Sequence, residues 1–378
     1  MRILFVCSGL AAGRDGVGDH VRRLAQECAR QGHTAALLAL HDRELDAGEA
    51  ETEETGGVRC LRLGAQPGWR AREQMVRATA FRREFEADWV SFHFVPYGYD
   101  DRGLPGGLGR AVRELAGEAR LHFMFHELWI GAAEGSSWRH RFTGTRQRML
   151  IRRMLAQAGP KLVTTTIPVY AALLNELGLQ AQVLPLFGNI LPAPSRTRAE
   201  LLPELEAPAE AWRVGLFFGA IHPEWKPEPL FSALLRTGQK IALVQAGHAG
   251  GPGEETWRRV EKEYAGRLQL IRRGGQPAEQ ISALMQAADF AIATSPWQLI
   301  GKSSSVATMV EHGLPVLVTR DDYRVARLPA APPTMEKQLQ LFREEQGDEI
   351  LRGLIREAPR SRLPEIARQF TRLLEETA

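Results

Sequence analysis

The chain has 378 residues, 44% apolar and 25% charged, with 48 Lys+Arg against 45 Asp+Glu. That length predicts two domains of roughly 150–200 residues, and the near balance of charge excludes a chain-wide nucleic-acid surface. Three cysteines (Cys7, Cys28, Cys60) without a CxxC pair argue against a disulfide framework or structural zinc and fit a reducing cytosol, and no apolar run reaches the roughly 18 residues of a membrane span.

Arg2–Ser8 (RILFVCS) is a continuous apolar run, the pattern of a strand buried on both faces, and reads as a first strand rather than a signal peptide. Gly9–Gly18 is a glycine-bearing loop. From Asp19 the spacing turns helical, with Val21, Leu24, Ala25 and Cys28 on one face, until Gly32-His33 precedes the strand Thr34–Leu40. Gly13, Gly16 and Gly18 do not have the spacing of a dinucleotide fingerprint. The loop either brings a ligand close to the backbone or is a plain flexible connection, and both readings stand here.

Asp42–Gly57 reads as an exposed acidic excursion, Trp69–Glu86 as an Arg-rich helix and Trp89–Val95 as a strand leading to the aromatic loop Pro96–Tyr99. After a helix over Gly109–Glu118, the strand Arg120–Phe125 delivers His126-Glu127-Leu128-Trp129 at its carboxyl end. Ligands of open α/β sheets bind at such ends. His126 there either meets a ligand or bonds a neighbouring carbonyl. Trp138–Arg153 carries six arginines and no acid. It reads as a solvated helix face, or as a patch for anionic lipid headgroups or a phosphorylated acceptor. Leu162–Thr166 and Gln182–Leu186 read as strands on either side of a helix over Pro168–Leu177.

Prolines recur through Phe187–Trp212, which reads as the interdomain connection. The alternation then restarts: strand Arg213–Phe218, loop Gly219–Pro229, helix Leu230–Arg236, strand Lys240–Ala246, helix Glu254–Ala265, strand Leu268–Arg272, helix Pro277–Ala288 and strand Phe290–Thr294. Two doubly wound parallel sheets follow. Between Ser295 and Val316 the chain passes through Gly301-Lys302-Ser303-Ser304-Ser305 into a helix that ends at Gly313, with a strand over Leu314–Thr319. Unpaired amides at such a helix start, a lysine and three hydroxyls make an anion site; an ordinary serine cap is the plainer reading. It is not a P-loop, because Pro296 stands where the first glycine belongs. Leu351–Thr377 reads as two helical segments around Pro359–Pro364.

Six segments, in order, resemble the GT-B glycosyltransferases, specifically retaining glycosyltransferase family 4: Gly16–His33, Met124–Trp129, Pro185–Ile190, Phe217–Leu234, Ile281–Asp289 and GKSSSVATMVEHGLPVLV. The resemblance spans most of the chain. It implies an acceptor-binding Rossmann-like domain (1–190), a nucleotide-sugar-binding one (191–350), C-terminal helices (351–378) packing across them, and a central cleft. It implies catalytic roles for His126 and Lys226. Gly16, Gly18, Gly219, His222, Lys226, Gly301, Lys302, Ser303, Ser304, Ser305 and Thr308 would bind the donor, with the Arg273–Gln276 loop bordering the base. Asp19, His20, Tyr97, Glu127, Trp129 and Arg139 would meet the acceptor, since aromatics stack on sugars and arginines meet phosphates.

The resemblance implies no metal and no cofactor, with a UDP- or GDP-sugar as substrate. The partner is a saccharide, lipid-linked or small-molecule acceptor, not nucleic acid, and a peripheral membrane contact is the further option for a cytoplasmic enzyme at the inner face of the membrane. Three positions depart from the family pattern. Ala220 replaces an arginine, for which His222 or Lys302 could compensate, and Ile300 and Thr308 replace paired glutamates. Glu311 is expected to face solvent, and Asp321-Asp322 to be solvated loop acids. Two other readings stand beside transfer: a sugar-nucleotide epimerase, for which no carboxylate pair is visible, and a binding protein that has lost catalysis.

Overall fold

The run RILFVC forms β1 (Arg2–Cys7), buried from Ile3 onward, because a strand between two parallel neighbours has both faces covered and no side to leave polar. The computed structural model describes residues 1–65, 72–325, 328 and 337–377. It divides into two units: Met1–Pro185 with the C-terminal helix, and Leu186–Arg324 with the segment that ends at Arg362.

In the first unit, α1 (Gly16–Arg30) starts on Asp15, whose carboxylate accepts from the amides of Val17 and Gly18 at 2.8 and 3.3 Å. Then follow β2 (Thr34–Asp42), β3 (Ala50–Thr55), β4 (Val58–Gly64), α2 (Arg72–Phe85), β5 (Trp89–Phe94), the single turn α3 (Pro96–Tyr99), α4 (Leu108–Ala116), β6 (Arg120–Phe125), α5 (Trp138–Ala158), β7 (Leu162–Thr165), α6 (Pro168–Asn175) and β8 (Gln182–Val183). The sheet order is β3-β4-β2-β1-β5-β6-β7-β8, parallel except for β3.

Two expectations change here. The acidic excursion is in part a strand, because β3 hairpins back onto β4; Glu51 and Glu54 stay exposed on the sheet edge while Glu53 pairs with Arg22 at 3.0 Å. The aromatic loop Pro96–Tyr99 is a helical turn, Pro96 supplying the φ of its first position. The beginning of the Arg-rich helix expected from Trp69 lies, up to residue 71, outside the described residues.

The second unit begins inside the expected connection. Leu201, Leu202 and Leu205 are buried in its core, so the proline-rich stretch packs on the sheet rather than spanning open space. Its elements are α7 (Arg198–Leu201), β9 (Trp212–Phe218), α8 (Glu228–Arg236), β10 (Lys240–Ala246), α9 (Gly251–Tyr264), β11 (Gln269–Gly274), α10 (Ala278–Ala287), β12 (Phe290–Ala293), α11 (Ser304–Glu311), β13 (Val316–Val318) and β14 (Leu339–Leu341). The order β11-β10-β9-β12-β13-β14 is wholly parallel, with one apolar cluster on each face.

The tail is one α-helix, α12 (Leu363–Glu376), after a 3-10 segment over Glu344–Leu351. Residues through Arg362 belong to the second unit, and α12 belongs to the first, where Phe370 lies 5.7 Å from the Phe5 ring. Among the described residues no helix is long and apolar enough to cross a membrane.

Gly144 sets how closely α5 approaches the loop after β6: a Cβ there would overlap the carbonyl oxygen of Ile130. Gly144→Ala should therefore cost roughly 1–3 kcal/mol of stability, although alanine is the better helix former. A urea midpoint equal to or above that of the unmodified protein would refute the close approach.

Candidate functional site

In the second unit β9 is the first strand in sequence, with β10 on one side and β12 on the other. Chain connections leave these two neighbours in opposite directions, which opens a crevice at the carboxyl ends of β9 and β12. A cavity of about 110 Å³ occupies this position, walled by Phe218-Gly219-Ala220, Thr294-Ser295 and the hydroxyl residues Ser303 and Ser305. Gly219 has φ +82°, and a Cβ there would stand 2.6 Å from Ser305 Oγ, so both backbone conformation and space require glycine. In the Gly301–Ser305 turn, Trp297–Lys302 is a 3-10 segment and Ser303 is the cap of α11, its hydroxyl accepting from Val306 N at 3.3 Å. Ser304 and Ser305 occupy the first two positions of α11, where amides have no acceptor within their own helix. Among the described residues no charged side chain lines this cavity.

The cations lie elsewhere. Lys226 lines a separate cavity of about 260 Å³, together with Glu224, Arg320, Asp321, Asp322 and Glu344. Lys226 and the serine turn, both expected to bind the donor, thus line separate cavities. His222 is tied to both: its amide donates to Thr294 Oγ1 at 2.9 Å, and Arg320 donates to its Nδ1. The Glu224 amide donates to the same nitrogen at 3.2 Å, so Nδ1 is an acceptor and the neutral ring carries its proton on Nε2. Burial, then the charges of Arg320 and Lys302, lower the His222 pKa.

Arg320 was not among the sequence candidates. It follows β13 at the carboxyl edge of the sheet, the address that singled out His126. It lines the larger cavity rather than the one beside Ala220, and it is held by Asp322 at 2.9 Å and Glu224 at 2.8 Å. Asp321 and Asp322 are exposed loop acids, as expected, and each is also ion-paired, Asp322 with Arg320 and Asp321 with Arg324 at 3.1 Å.

Two further expectations are corrected. Thr308 is fully buried, donates to Ser304 O at 2.8 Å and accepts from Asn189 N at 3.0 Å, so its hydroxyl is spent on the fold rather than offered to a donor. Glu311 does not face solvent: it is 1% exposed and accepts from Gly188 N at 2.9 Å. Together they pin segment 188–189 onto α11.

In the first unit, Gly16 is exposed in the first turn of α1, whereas Gly18 packs so that a Cβ would sit 2.5 Å from Gly9 O. Asp19 accepts from Gly13 N at 3.0 Å, holding the glycine loop. Tyr97 is partly exposed, Glu127 half-buried, Trp129 lies 5.7 Å beneath the Arg148 guanidinium, and Arg139 stacks at 5.4 Å over Trp138.

His20 and His126, by contrast, do come together, and they do so with two histidines that had read only as strand residues. His93 and His122 sit in β5 and β6. Thr164 Oγ1 donates to Met124 Sδ, which fixes the direction of the chain behind it. His122 Nε2–H donates to Thr164 at 2.8 Å, Ser91 to His122 Nδ1 at 2.9 Å, His93 Nε2–H to Ser91 at 3.1 Å, and His126 Nε2–H to His93 Nδ1 at 2.9 Å. His126 thus presents Nδ1 as its remaining acceptor. Every ring in the chain is neutral: burial pushes His126 and His122 down to about 3, and burial also lowers His20 and His93, with His126 next. The ligand atoms of His20, His93 and His126 lie within 4.8 Å of one another, close enough to hold a metal ion, but only by displacing the proton between His93 and His126.

No protein-family model matches the chain, and no curated protein matches it. Solved structures do. It is similar to Anabaena HepE in complex with UDP and glucose, with a TM-score of 0.62 and 14% identity over 100% of both chains. It is similar to the catalytic domain of starch synthase IV from Arabidopsis thaliana bound to ADP and acarbose, with a TM-score of 0.61 and 12% identity over 99% of each. WaaG, a glycosyltransferase involved in lipopolysaccharide biosynthesis, gives a TM-score of 0.55 and 16% identity over 98% of this chain and 95% of that one. The expected GT-B fold is borne out across the whole chain.

The neutral histidine chain fixes the sign of a pH effect. An unfolded histidine titrates near 6.5, well above the folded value of about 3 at His126, so the unfolded chain takes up more protons as pH falls. Stability from each ring is complete above pH 6.5 and is lost on descent, at up to about 1.4 kcal/mol per pH unit. His126→Gln should remove one ring's share, giving a shallower fall in unfolding free energy between about pH 6 and about pH 4.5. Equal slopes in chemical denaturation of the two proteins would sink this assignment.

Proposed function

We propose that the protein transfers a hexose or similar sugar from a UDP- or GDP-sugar to an acceptor hydroxyl, with retention and without a metal, as its resemblance to glycosyltransferase family 4 implies. The acceptor is a saccharide, a lipid-linked sugar or a small molecule, and the process is polysaccharide or glycolipid assembly. One observation supports this reading above the rest: the cavity at the β9–β12 crevice ends on the amino-terminus of α11, with Gly219 cut back to make room. Charge gathers on a nucleoside diphosphate as its bond to the sugar breaks. Fixed amide and hydroxyl donors at that point then bind the transition state more strongly than the ground state. HepE with UDP and glucose, and starch synthase with ADP and acarbose, hold ligands of this chemistry in the same fold.

A second reading, donor binding without transfer, draws on Ala220 and on the engagement of Thr308 and Glu311 with segment 188–189.

A thermal-shift panel of UDP, GDP, ADP and their sugars tests both, since a bound ligand raises the melting point. One nucleoside diphosphate should stabilise the protein, and Ser305→Ala should weaken it by about 2- to 12-fold, the worth of one hydrogen bond. Lys302→Ala should weaken it more than Lys226→Ala, whose surroundings are mainly acidic. Binding with no sugar transferred to any acceptor supports the second reading. If no nucleotide shifts the melting point, both readings fail.

A further inference from the structure

Helix α5 turns two opposed faces outward and inward. Gly144, Gln147, Ile151, Met154, Leu155 and Ala158 are buried against the first unit. On the opposite side, Trp138, Phe142 and Met149 are 73%, 62% and 59% exposed. At 100° per residue these three fall within about 40° of one another, so they form one stripe along the helix. Arginines flank the stripe on both sides: Arg141 and Arg152 along one edge, Arg146 and Arg153 along the other. The helix holds six arginines and no acid, twice the net charge of +3 that the whole chain carries. Arg148 pairs with Glu176 at 3.7 Å and Arg139 stacks on Trp138, but Arg141, Arg146, Arg152 and Arg153 have no ion-pair partner among the described residues.

A folded protein has little reason to keep a Trp-Phe-Met row in water on a helix whose other face is already packed. We propose that this face of α5 docks on a lipid bilayer that bears anionic headgroups. Charge complementarity selects the occupant: the four unneutralised guanidiniums form two rows at headgroup level, and the apolar stripe between them enters the acyl boundary. Headgroup phosphates accept the planar guanidinium donors in pairs. A nucleic acid would use the arginines but leave most of the stripe in water. None of the side chains of this docking face is a candidate for donor binding, and vesicle binding is read without any sugar transfer.

The test is co-sedimentation of the full chain with vesicles of phosphatidylcholine alone and with roughly one-third phosphatidylglycerol, where binding should be at least about tenfold stronger and should weaken as salt is raised. Combined Arg141→Gln, Arg146→Gln, Arg152→Gln and Arg153→Gln should reduce it to the level seen with neutral vesicles. Trp138→Ala with Phe142→Ala and Met149→Ala should also reduce it severalfold at constant charge. All seven side chains are exposed, so unchanged melting points certify the fold of both variants. Equal binding to neutral and anionic vesicles overturns the proposal. So does full binding by the apolar triple variant, or displacement of the vesicles by a single-stranded RNA at equal phosphate concentration.

Discussion

The second unit depends on a single steric fact, the crossing of Gly219 with Ser305. Parallel strands end on one edge, and where β9 meets β12 their onward connections leave in opposite directions. That divergence opens a crevice only if the backbone after β9 can turn back at once. It does so at φ +82°, which a β-carbon would strain, and in a space where a β-carbon would strike a hydroxyl. With the turn in place, the amino-terminus of α11 faces the ends of both strands, and Thr294 is free to hold the His222 loop. The local chemistry is a consequence of the topology, because the same residues on antiparallel strands would end on opposite edges.

The first unit meets the same topology with a different chemistry. β1 is flanked by β2 and β5, and the histidines run from His122 within β6 to His93 and His126 at the carboxyl ends of β5 and β6. A buried polar group left unpaired costs about 1–3 kcal/mol; here an unbroken chain from Thr164 to His126 satisfies each ring in turn, across three adjacent strands. Because each member accepts on one side and donates on the other, the tautomers are not independent. Protonating one ring would break the direction of all the bonds behind it. Burial therefore does more than depress basicity: it makes the row behave as one neutral unit.

The strands were legible because parallel strands between helices must be apolar throughout, and runs such as RILFVC and FAIA announce themselves without knowledge of partners. The helix starts and the switch-point serines were legible for a local reason, since capping and turn chemistry act within four residues. What escaped was long-range. Arg320 was not singled out because two of its partners, His222 and Glu224, are nearly a hundred residues away in sequence. Glu311 read as a solvent-facing acid because helical spacing cannot show that Gly188 lacks a side chain and lets the backbone approach it. His93 and His122 were hidden inside their strands by the same continuous burial that made those strands easy to find.

The division of charge in the second unit also decides what kind of anion site it can be. The wall of the larger cavity sets two cations, Lys226 and Arg320, against four carboxylates, so its formal balance is negative. Arg320 is bonded on three sides and is held in place as a strut for His222. Among the described residues the smaller cavity has no charged side chain; its polar groups are hydroxyls and amides set among apolar side chains. Selectivity for an anion there has to come from the orientation of fixed dipoles, supplemented by Lys302, whose charge reaches His222 and Tyr323. Dipoles set in a packed wall need no reorganisation when charge develops in front of them, and at contact distance mobile ions screen them little. A net cationic pocket would bind any polyanion. An uncharged cradle of defined shape discriminates by fit, and the residues that deserve weight are accordingly the small ones, Gly219 and Ser305, more than the lysines.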